Sequence, residues 1–239
     1  MIGLVVMSTL VSGQDEARRQ LMPTGSLRVA LNTGNALTRV VGADLARELA
    51  RRLGAKAVFR EYPNPGAVTE AVATEWDIAF IAADPDRAAA IAFTPAYVEL
   101  DATYLVKSDS VVQRVADADR EGNRIATGRT SAYTLVLRRE LKGAQLVFPP
   151  EDDAVAGLQA GTITALAGLR FNLLQLSERI PGTRVLTDNI TRAQQAVAVP
   201  KGNSAALAYV TSFLADVKSS GLVAEAVRKT GFTGATVPR

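Results

Sequence analysis

The sequence predicts an α/β protein in which strands and helices alternate along most of the chain. Short apolar runs of strand length alternate with segments whose apolar residues recur at helical spacing. Gly, Asn and Pro separate many of these segments. The alternation begins near residue 26, is interrupted by an additional strand at 102–106, and then restarts. We therefore predict two α/β units, each built on a largely parallel sheet.

The first predicted unit opens with strand 27–31, which ends at the turn residues of 32–35. Residues 39–53 have apolar side chains at helical spacing, and Gly54 after them is a typical helix C-terminal residue. A strand, a helix and a strand are then predicted over 57–62, 68–74 and 77–81. Residues 86–91 are predicted to be helical, and segment 93–97, which contains a proline, ends that helix.

The second predicted unit lies between a crossing strand and a return strand. Its strands are predicted at 124–127, 145–148, 164–167 and 184–186, and its helices at 132–141, 152–160 and 171–180. The crossing strand is 102–106 and the return strand is 195–199. Two helices, 204–219 and 222–230, complete the prediction.

The composition excludes several classes of function. The 239 residues include no cysteine and no histidine, which rules out disulfides, thiolate or imidazole metal sites and histidine-dependent triads. Hydrophobic residues make up 48%, which is typical of a chain with a large core. The net charge is only +3 and aromatic residues make up 5%, so we expect no nucleic-acid partner. We also expect no metal and no cofactor.

The N-terminal segment is apolar and has two interpretations. Residues 1–13, MIGLVVMSTLVSG, contain no Lys or Arg and are shorter than the roughly 20 residues that a membrane-spanning helix needs. They are either the apolar part of a signal peptide, with cleavage near Gly13, or a loosely docked terminus. We expect residues 1–25 to form an apolar, flexible segment outside both units.

Several short motifs, in this order and spacing, resemble the bacterial extracellular solute-binding proteins of the polar amino acid type, family 3. These motifs are LRVALN at 27–32, GADLARELA at 42–50, WDIAF at 76–80, DR at 86–87, IAFTPAY at 91–97 and GRTSAY at 128–133. The resemblance covers residues 25–235 approximately and implies a type II periplasmic binding protein-like fold. Two hinge strands would join lobe 1, residues 26–104 plus 198–239, to lobe 2, residues 105–197. A small ligand would bind between the lobes.

The resemblance also implies a set of ligand-binding residues. Arg87 matches the family arginine that grips the ligand carboxylate with both arms of its guanidinium, a geometry that lysine cannot copy. Its alternative role is that of a solvated helix residue paired with Asp84 or Asp86. The other candidates are Asn32, Asn35, Phe80, Ala82, Thr130, Ser131 and Tyr133. Turn formation would equally explain the asparagines, helix capping the Thr and Ser, and core packing the aromatic rings.

The sequence departs from the family pattern where a ligand amine would bind. Amino acid-binding members have an Asp after the strand at 164–167, but here the sequence is Ala167-Gly168-Leu169-Arg170. The serines usual after the strand at 77–81 are replaced by Phe80, Ile81 and Ala82. The ligand is therefore either an amino acid held by other partners or a carboxylate without an amine.

The resemblance implies a monomeric periplasmic receptor whose closed, ligand-bound form is recognised by a membrane ABC permease. We expect no enzymatic activity. Two alternatives stay open. One is a dehydratase of prephenate-like acids on the same scaffold, with Asp84, Glu99 or Asp101 as its carboxylic acid. The other is a sensor or scaffold that is not coupled to transport.

Overall fold

A computed structural model describes residues 13–238 of the chain. The helices are α1 (13–21), α2 (Ala36–Arg52), α3 (Pro65–Glu70), α4 (Ala132–Glu140), α5 (Glu151–Ala160), α6 (Arg170–Arg179), α7 (Ser204–Ser219) and α8 (Leu222–Thr230). The strands are β1 (Leu27–Asn32), β2 (Ala57–Tyr62), β3 (Ile78–Ala82), β4 (Ile91–Phe93), β5 (Val98–Lys107), β6 (Arg124–Ala126), β7 (Gln145–Val147), β8 (Ala165–Leu169), β9 (Thr183–Val185), β10 (Thr191–Pro200) and β11 (Ala235–Thr236). Short 3-10 helices lie at Pro85–Arg87 and Val115–Ala118.

The chain divides into two compact units. Of the described residues, the first unit comprises 13–98, 194–231 and 237–238, and the second comprises Glu99–Ala193 and Phe232–Thr236. The chain passes from one unit to the other along β5 and returns along β10. The expected lobe boundaries, 104/105 and 197/198, lie a few residues further along the same two strands.

The sheet of the first unit has the order β2-β1-β3-β10. β1 pairs in parallel with both β2 and β3, whereas β10 runs antiparallel to β3 and β4. Helices α2 and α3 pack against the parallel strands, and α8 packs against α2 and α7. The carboxyl ends of β1 and β3 therefore lie side by side at one edge, where ligands bind in open α/β sheets.

The sheet of the second unit has the order β5-β8-β6-β7, with β9 and β11 also paired to β5. β6 is parallel to both β7 and β8, so these strands end at a common edge. Adjacent residues of β5, Tyr104 and Leu105, are both buried but belong to different core clusters, which contain α4 and α5 side chains respectively. Burial on both faces is typical of a parallel sheet covered by helices.

The N-terminal helix differs from the expected flexible segment. Residues 13–21 are helical, Ala17 and Leu21 are buried, and the Gln20 side chain accepts a hydrogen bond from the Ala206 backbone at 3.0 Å. These contacts hold α1 against α7, so the expectation of flexibility is wrong for this part. Residues 1–12, on which the signal-peptide interpretation depends, lie outside the described residues.

The predicted alternation of strands and helices is confirmed, with two local errors. The helix predicted at 86–91 is wrong, because the chain forms only a 3-10 turn there before β4 pairs with β10. The C-terminal segment was expected to lie wholly in lobe 1. Instead β11 pairs with β5, and the Phe232 ring stacks on Phe171 with ring centres 3.7 Å apart. These contacts place residues 232–236 in the second unit.

Gly42 allows α2 to approach β3 closely. A Cβ atom at this position would lie 2.8 Å from Cγ of Phe80, which is fully buried. We expect Gly42→Ala to lower the free energy of unfolding by about 1–3 kcal/mol, because overpacking a rigid ring outweighs alanine's higher helix propensity. Urea unfolding followed by the fluorescence of Trp76, the chain's single tryptophan and a buried residue of this unit, measures the change.

Gly13→Ala is the matched control for this substitution, because an added Cβ at residue 13 meets no atom within 4 Å. It should leave the free energy of unfolding unchanged or raise it slightly. A Gly42→Ala variant as stable as the parent would contradict the close approach of helix and strand.

Candidate functional site

The loop after β1 positions Asn32 and Asn35, which are both buried. The Asn32 Oδ1 accepts a hydrogen bond from the Gly34 backbone at 3.0 Å, and the Asn35 Oδ1 accepts one from the Thr38 backbone at 3.2 Å. Asn35 is thus the N-cap of α2. Asn32 thus stabilises the turn after β1 and Asn35 caps α2. A contact of either residue with a ligand stays a prediction.

The loop after β3 carries the candidate cation. Asp84 accepts a hydrogen bond from the Asp86 backbone at 2.9 Å and so starts the 3-10 turn that includes Arg87. The Arg87 side chain is 5% exposed and its Nη1 donates to the carbonyl oxygen of Ala82, the last residue of β3. The alternative of a solvated Arg87 is therefore wrong, since the guanidinium lies against the end of the strand.

Two carboxylates and a backbone carbonyl surround the guanidinium of Arg87. Burial lowers the pKa of Arg87, while the nearby charges of Asp84 and Asp86 raise it. A guanidinium removed from water is costly unless charged or polar acceptors surround it. A carboxylate offers two acceptor oxygens in the geometry of the guanidinium fork. Binding of a ligand carboxylate by Arg87 stays a prediction.

Phe80 does not lie at this strand end. It is in the middle of β3, is fully buried beneath Gly42, and packs edge-on against Tyr97 with ring centres 5.7 Å apart. The structure therefore places Phe80 in the core of the first unit, which corrects its expected position beside a ligand. Ala82, by contrast, is the strand-end residue that contacts Arg87.

In the second unit, hydrogen bonds fix the loop between β6 and α4. The Thr127 and Thr134 hydroxyls lie 2.7 Å apart, and the Thr134 hydroxyl also donates to the Gly128 carbonyl at 2.7 Å. Both threonines are buried. Residues 128–131, in the GRTSAY motif, are therefore tied to the first turn of α4.

Thr130, Ser131 and Tyr133 occupy this loop and the start of α4, where all three are half-buried. Ser131 is the N-cap residue, but its side chain makes no capping hydrogen bond. Burial raises the pKa of Tyr133, and the nearby Ser131 side chain acts in the opposite direction. Tyr133 packs on the core cluster that contains Tyr104 and Ile125. The expected capping role of Ser131 is therefore wrong, whereas packing of Tyr133 is observed.

Arg170 stands where amino acid-binding family members were expected to have an acid. Its guanidinium donates to the carbonyls of Leu186 and Asp188 at 2.7 and 3.2 Å and to Asn189 Oδ1 at 2.6 Å. It also lies 3.5 Å from a carboxylate oxygen of Asp101. These contacts show a residue that holds segment 186–189 in place and supplies no partner for an ammonium group.

A cationic cluster at the carboxyl edge of the second unit was not predicted from the sequence. The Arg129 and Arg138 guanidinium carbons lie 4.8 and 5.2 Å from the centre of the Phe148 ring. Phe148 directly follows β7. The available signal was weak, since only the position of Arg129 inside the GRTSAY motif indicated it. Among residues 13–238, no group of acidic side chains is arranged to hold a metal ion.

The fold and the placement of loops at the strand ends define the class of protein. The architecture matches type II periplasmic binding proteins, as comparisons with solved structures show. The chain belongs to the bacterial extracellular solute-binding proteins, family 3, whose family model matches residues 41–232. No curated protein matches the sequence. Within residues 13–238, no helix combines the length and apolar character needed to cross a membrane.

Several solved structures share this fold at low sequence identity. A mutant of ArgBP from T. maritima is 21% identical with a TM-score of 0.72, over 89% of this chain and 98% of that one. AbpA from Streptococcus pneumoniae, bound to L-arginine, is 19% identical with a TM-score of 0.71, over 87% and 95%. The ancestral amino acid-binding protein AncCDT-1, a precursor of cyclohexadienyl dehydratase, is 19% identical with a TM-score of 0.72, over 89% and 97%.

Proposed function

We propose that this chain is the solute-binding receptor of a bacterial ABC importer. It binds an amino acid or another small carboxylate with residues of both units, and it closes around the ligand by a hinge motion along β5 and β10. A membrane permease then recognises the closed form. The receptor acts as a monomer in the periplasm. Its family membership and the amino acid complexes of similar structures support this function.

The observation that carries the proposal is the buried guanidinium of Arg87 at the end of β3. Small ligands of α/β folds bind beyond the carboxyl ends of the strands, where this group lies. Asn32 and Asn35 follow the neighbouring strand β1 at the same edge. We propose that Arg87 binds the ligand carboxylate and that Asn32, Asn35 and Ala82 line the site around it. Thr130, Ser131 and Tyr133 contribute from the second unit.

The carboxylates considered for an enzymatic alternative have structural contacts. Asp84 caps the 3-10 turn, and Asp101 lies 3.5 Å from Arg170 and 3.4 Å from Arg192. Glu99 lies 4.0 Å from Arg192. These contacts give each of the three carboxylates a structural role in its own unit. Binding without catalysis is therefore the function that these contacts favour.

Thermal unfolding in the presence of candidate ligands tests the proposal. The panel contains amino acids, 2-oxo acids, dicarboxylates, monocarboxylates and a prephenate-like acid. A ligand of the native state should stabilise the protein by about 2.7 kcal/mol at 100 times its dissociation constant. A shift with any small carboxylate supports the receptor function. No shift with any compound would favour a sensor or scaffold, and consumption of the prephenate-like acid would favour an enzyme.

A further inference from the structure

Gln195 of β10 lies beside the strand end that Arg87 contacts. In the antiparallel pair of β3 and β10, Gln195 is directly opposite Ala82, the last residue of β3. Side chains of directly opposed residues are close neighbours on one face of a sheet. The Arg87 guanidinium donates to the carbonyl of the same Ala82. Gln195 and Arg87 are therefore both neighbours of Ala82, and all three residues belong to the first unit.

The Gln195 side chain lies on the face of the sheet that α2 covers. Phe80, two residues before Ala82, faces Gly42 of α2. Alternate residues of a strand share a face, so Ala82 and the opposed Gln195 also face this helix. A direct contact agrees with this placement, because the hydroxyl of Thr38, in the first turn of α2, donates to Gln195 Oε1 at 3.2 Å. Gln195 thus extends from the sheet to the start of α2.

The amide nitrogen of Gln195 has unused donors although the side chain is nearly buried. Gln195 is 4% exposed, and among residues 13–238 its Nε2 donates to no protein group. In this part of the chain, the fully enclosed side-chain atoms without a partner are Tyr97 Oη, Tyr104 Oη and Asp188 Oδ1. The Nε2 atom of Gln195 is not one of them and therefore still reaches solvent. An unpaired donor in such a place is costly, and an acceptor atom of a ligand would satisfy it.

The start of α2 favours an acceptor that carries negative charge. This helix has 17 residues, and its first turn contains no acidic side chain. Its first backbone N–H groups carry the positive end of the helix dipole. Thr38, which contacts Gln195, is the third residue of the helix. An anionic oxygen that accepts a hydrogen bond from Gln195 would therefore lie in a favourable electrostatic field.

We infer that Gln195 is a ligand-binding residue of the first unit, whose side-chain amide donates a hydrogen bond to the ligand carboxylate held by Arg87. This inference rests on the proposed function, in which Arg87 binds that carboxylate. A carboxylate bound to a guanidinium fork has further lone pairs that accept hydrogen bonds. The neutral amide adds a donor without placing a second cation beside Arg87. With its oxygen bonded to Thr38, the amide presents donors alone, so it selects an acid oxygen over an ammonium group.

Two substitutions break the same hydrogen bond and so separate a structural role of Gln195 from a ligand-binding role. Gln195→Met keeps the approximate size of the side chain but removes its donors, whereas Thr38→Val removes the hydroxyl and leaves the amide. The full chain is titrated calorimetrically with L-arginine, L-glutamate, 2-oxoglutarate, succinate and the compound that gives the largest thermal shift. Gln195→Met should weaken binding by roughly 10- to 100-fold, the usual effect of losing a hydrogen bond to a charged group. Thr38→Val should weaken binding much less.

A third substitution, Gln195→Glu, puts a negative charge in place of the donor. Its carboxylate still accepts from the Thr38 hydroxyl but repels an acid ligand, so each acid should bind more weakly than to Gln195→Met. Urea unfolding followed by the fluorescence of the buried Trp76 shows whether the first unit is intact in each variant. If binding depends on Arg87 but Gln195→Met binds no more weakly than Thr38→Val, the role of Gln195 is wrong and the receptor function stands. If the parent binds no compound of the panel, both proposals fail.

Discussion

Arg87→Gln is expected to weaken ligand binding by at least roughly 100-fold, the effect of removing one member of a buried charge pair. Arg87 is buried at the carboxyl end of β3, where its guanidinium has lost most of its contact with water. Glutamine is neutral and shorter than arginine, and it cannot form the two parallel hydrogen bonds of a guanidinium with a carboxylate. Isothermal titration with the tightest ligand of the panel measures the loss.

The same substitution is expected to reduce stability, because Arg87 also donates a hydrogen bond to the Ala82 carbonyl. An unsatisfied buried carbonyl costs about 1–3 kcal/mol, so urea unfolding of each variant must accompany the titration. Arg87→Lys keeps the charge and a donor group but loses the planar fork, and should recover stability better than affinity. Arg47→Gln, at an exposed arginine of α2 paired with Asp44, should change neither. Parent-like affinity in Arg87→Gln would make Arg87 a purely structural residue.

The position of Arg87 was predictable only through its motif. No periodic pattern surrounds it, because the chain between β3 and β4 forms a single 3-10 turn. Its burial depends on the contact with Ala82, which the turn creates by folding the side chain back onto the strand end. The capping residue Asp84 and the following Pro85 are local signals for such a turn. They indicate that a turn forms, but not which way the arginine points.

The burial of Phe80 illustrates why the sequence did not distinguish core residues of β3 from residues at the predicted ligand site. Every residue of this strand is buried, so no alternation of polar and apolar side chains reveals which face is which. The side of β3 on which the Phe80 ring lies depends on Gly42 and Tyr97, which are distant from it in sequence. Gly42 leaves room for the ring, and Tyr97 packs against it. A strand covered on both faces fixes its register through such contacts, and a single sequence does not display them.

The cluster of Arg129, Arg138 and Phe148 was missed for a related reason. The phenylalanine follows a short strand, and parallel pairing of β6 with β7 brings that strand end beside the loop of Arg129. Neither arginine is unusual in its own sequence neighbourhood. The β-strand order of the second unit creates the cluster, whereas local periodicity predicts only the elements that carry its members.

A large effect on stability is expected at Asp77, which joins β1 to β3. Its carboxylate is 3% exposed and accepts hydrogen bonds from the Arg28 backbone at 2.9 Å and from Arg28 Nη2 at 2.6 Å. The Arg28 Nη1 donates in addition to the Thr74 carbonyl at 2.9 Å. The hydrogen bond to Asp77 raises the pKa of Arg28, the direction that a nearby carboxylate produces. These bonds fix the start of the strand that carries Ala82 and leads to Arg87.

Asp77→Ala is expected to lower the free energy of unfolding by about 3 kcal/mol, because it leaves a backbone N–H and a largely buried guanidinium without their acceptor. Urea unfolding followed by the fluorescence of the adjacent Trp76 reports on this unit, since the ring is buried and donates to the Val68 carbonyl at 2.9 Å. Asp216→Ala removes an exposed partner of Arg52 and should cost about 1 kcal/mol or less. Equal losses of unfolding free energy in the two variants would contradict the buried Arg28–Asp77 pair, because only the loss of a buried carboxylate is expected to be large.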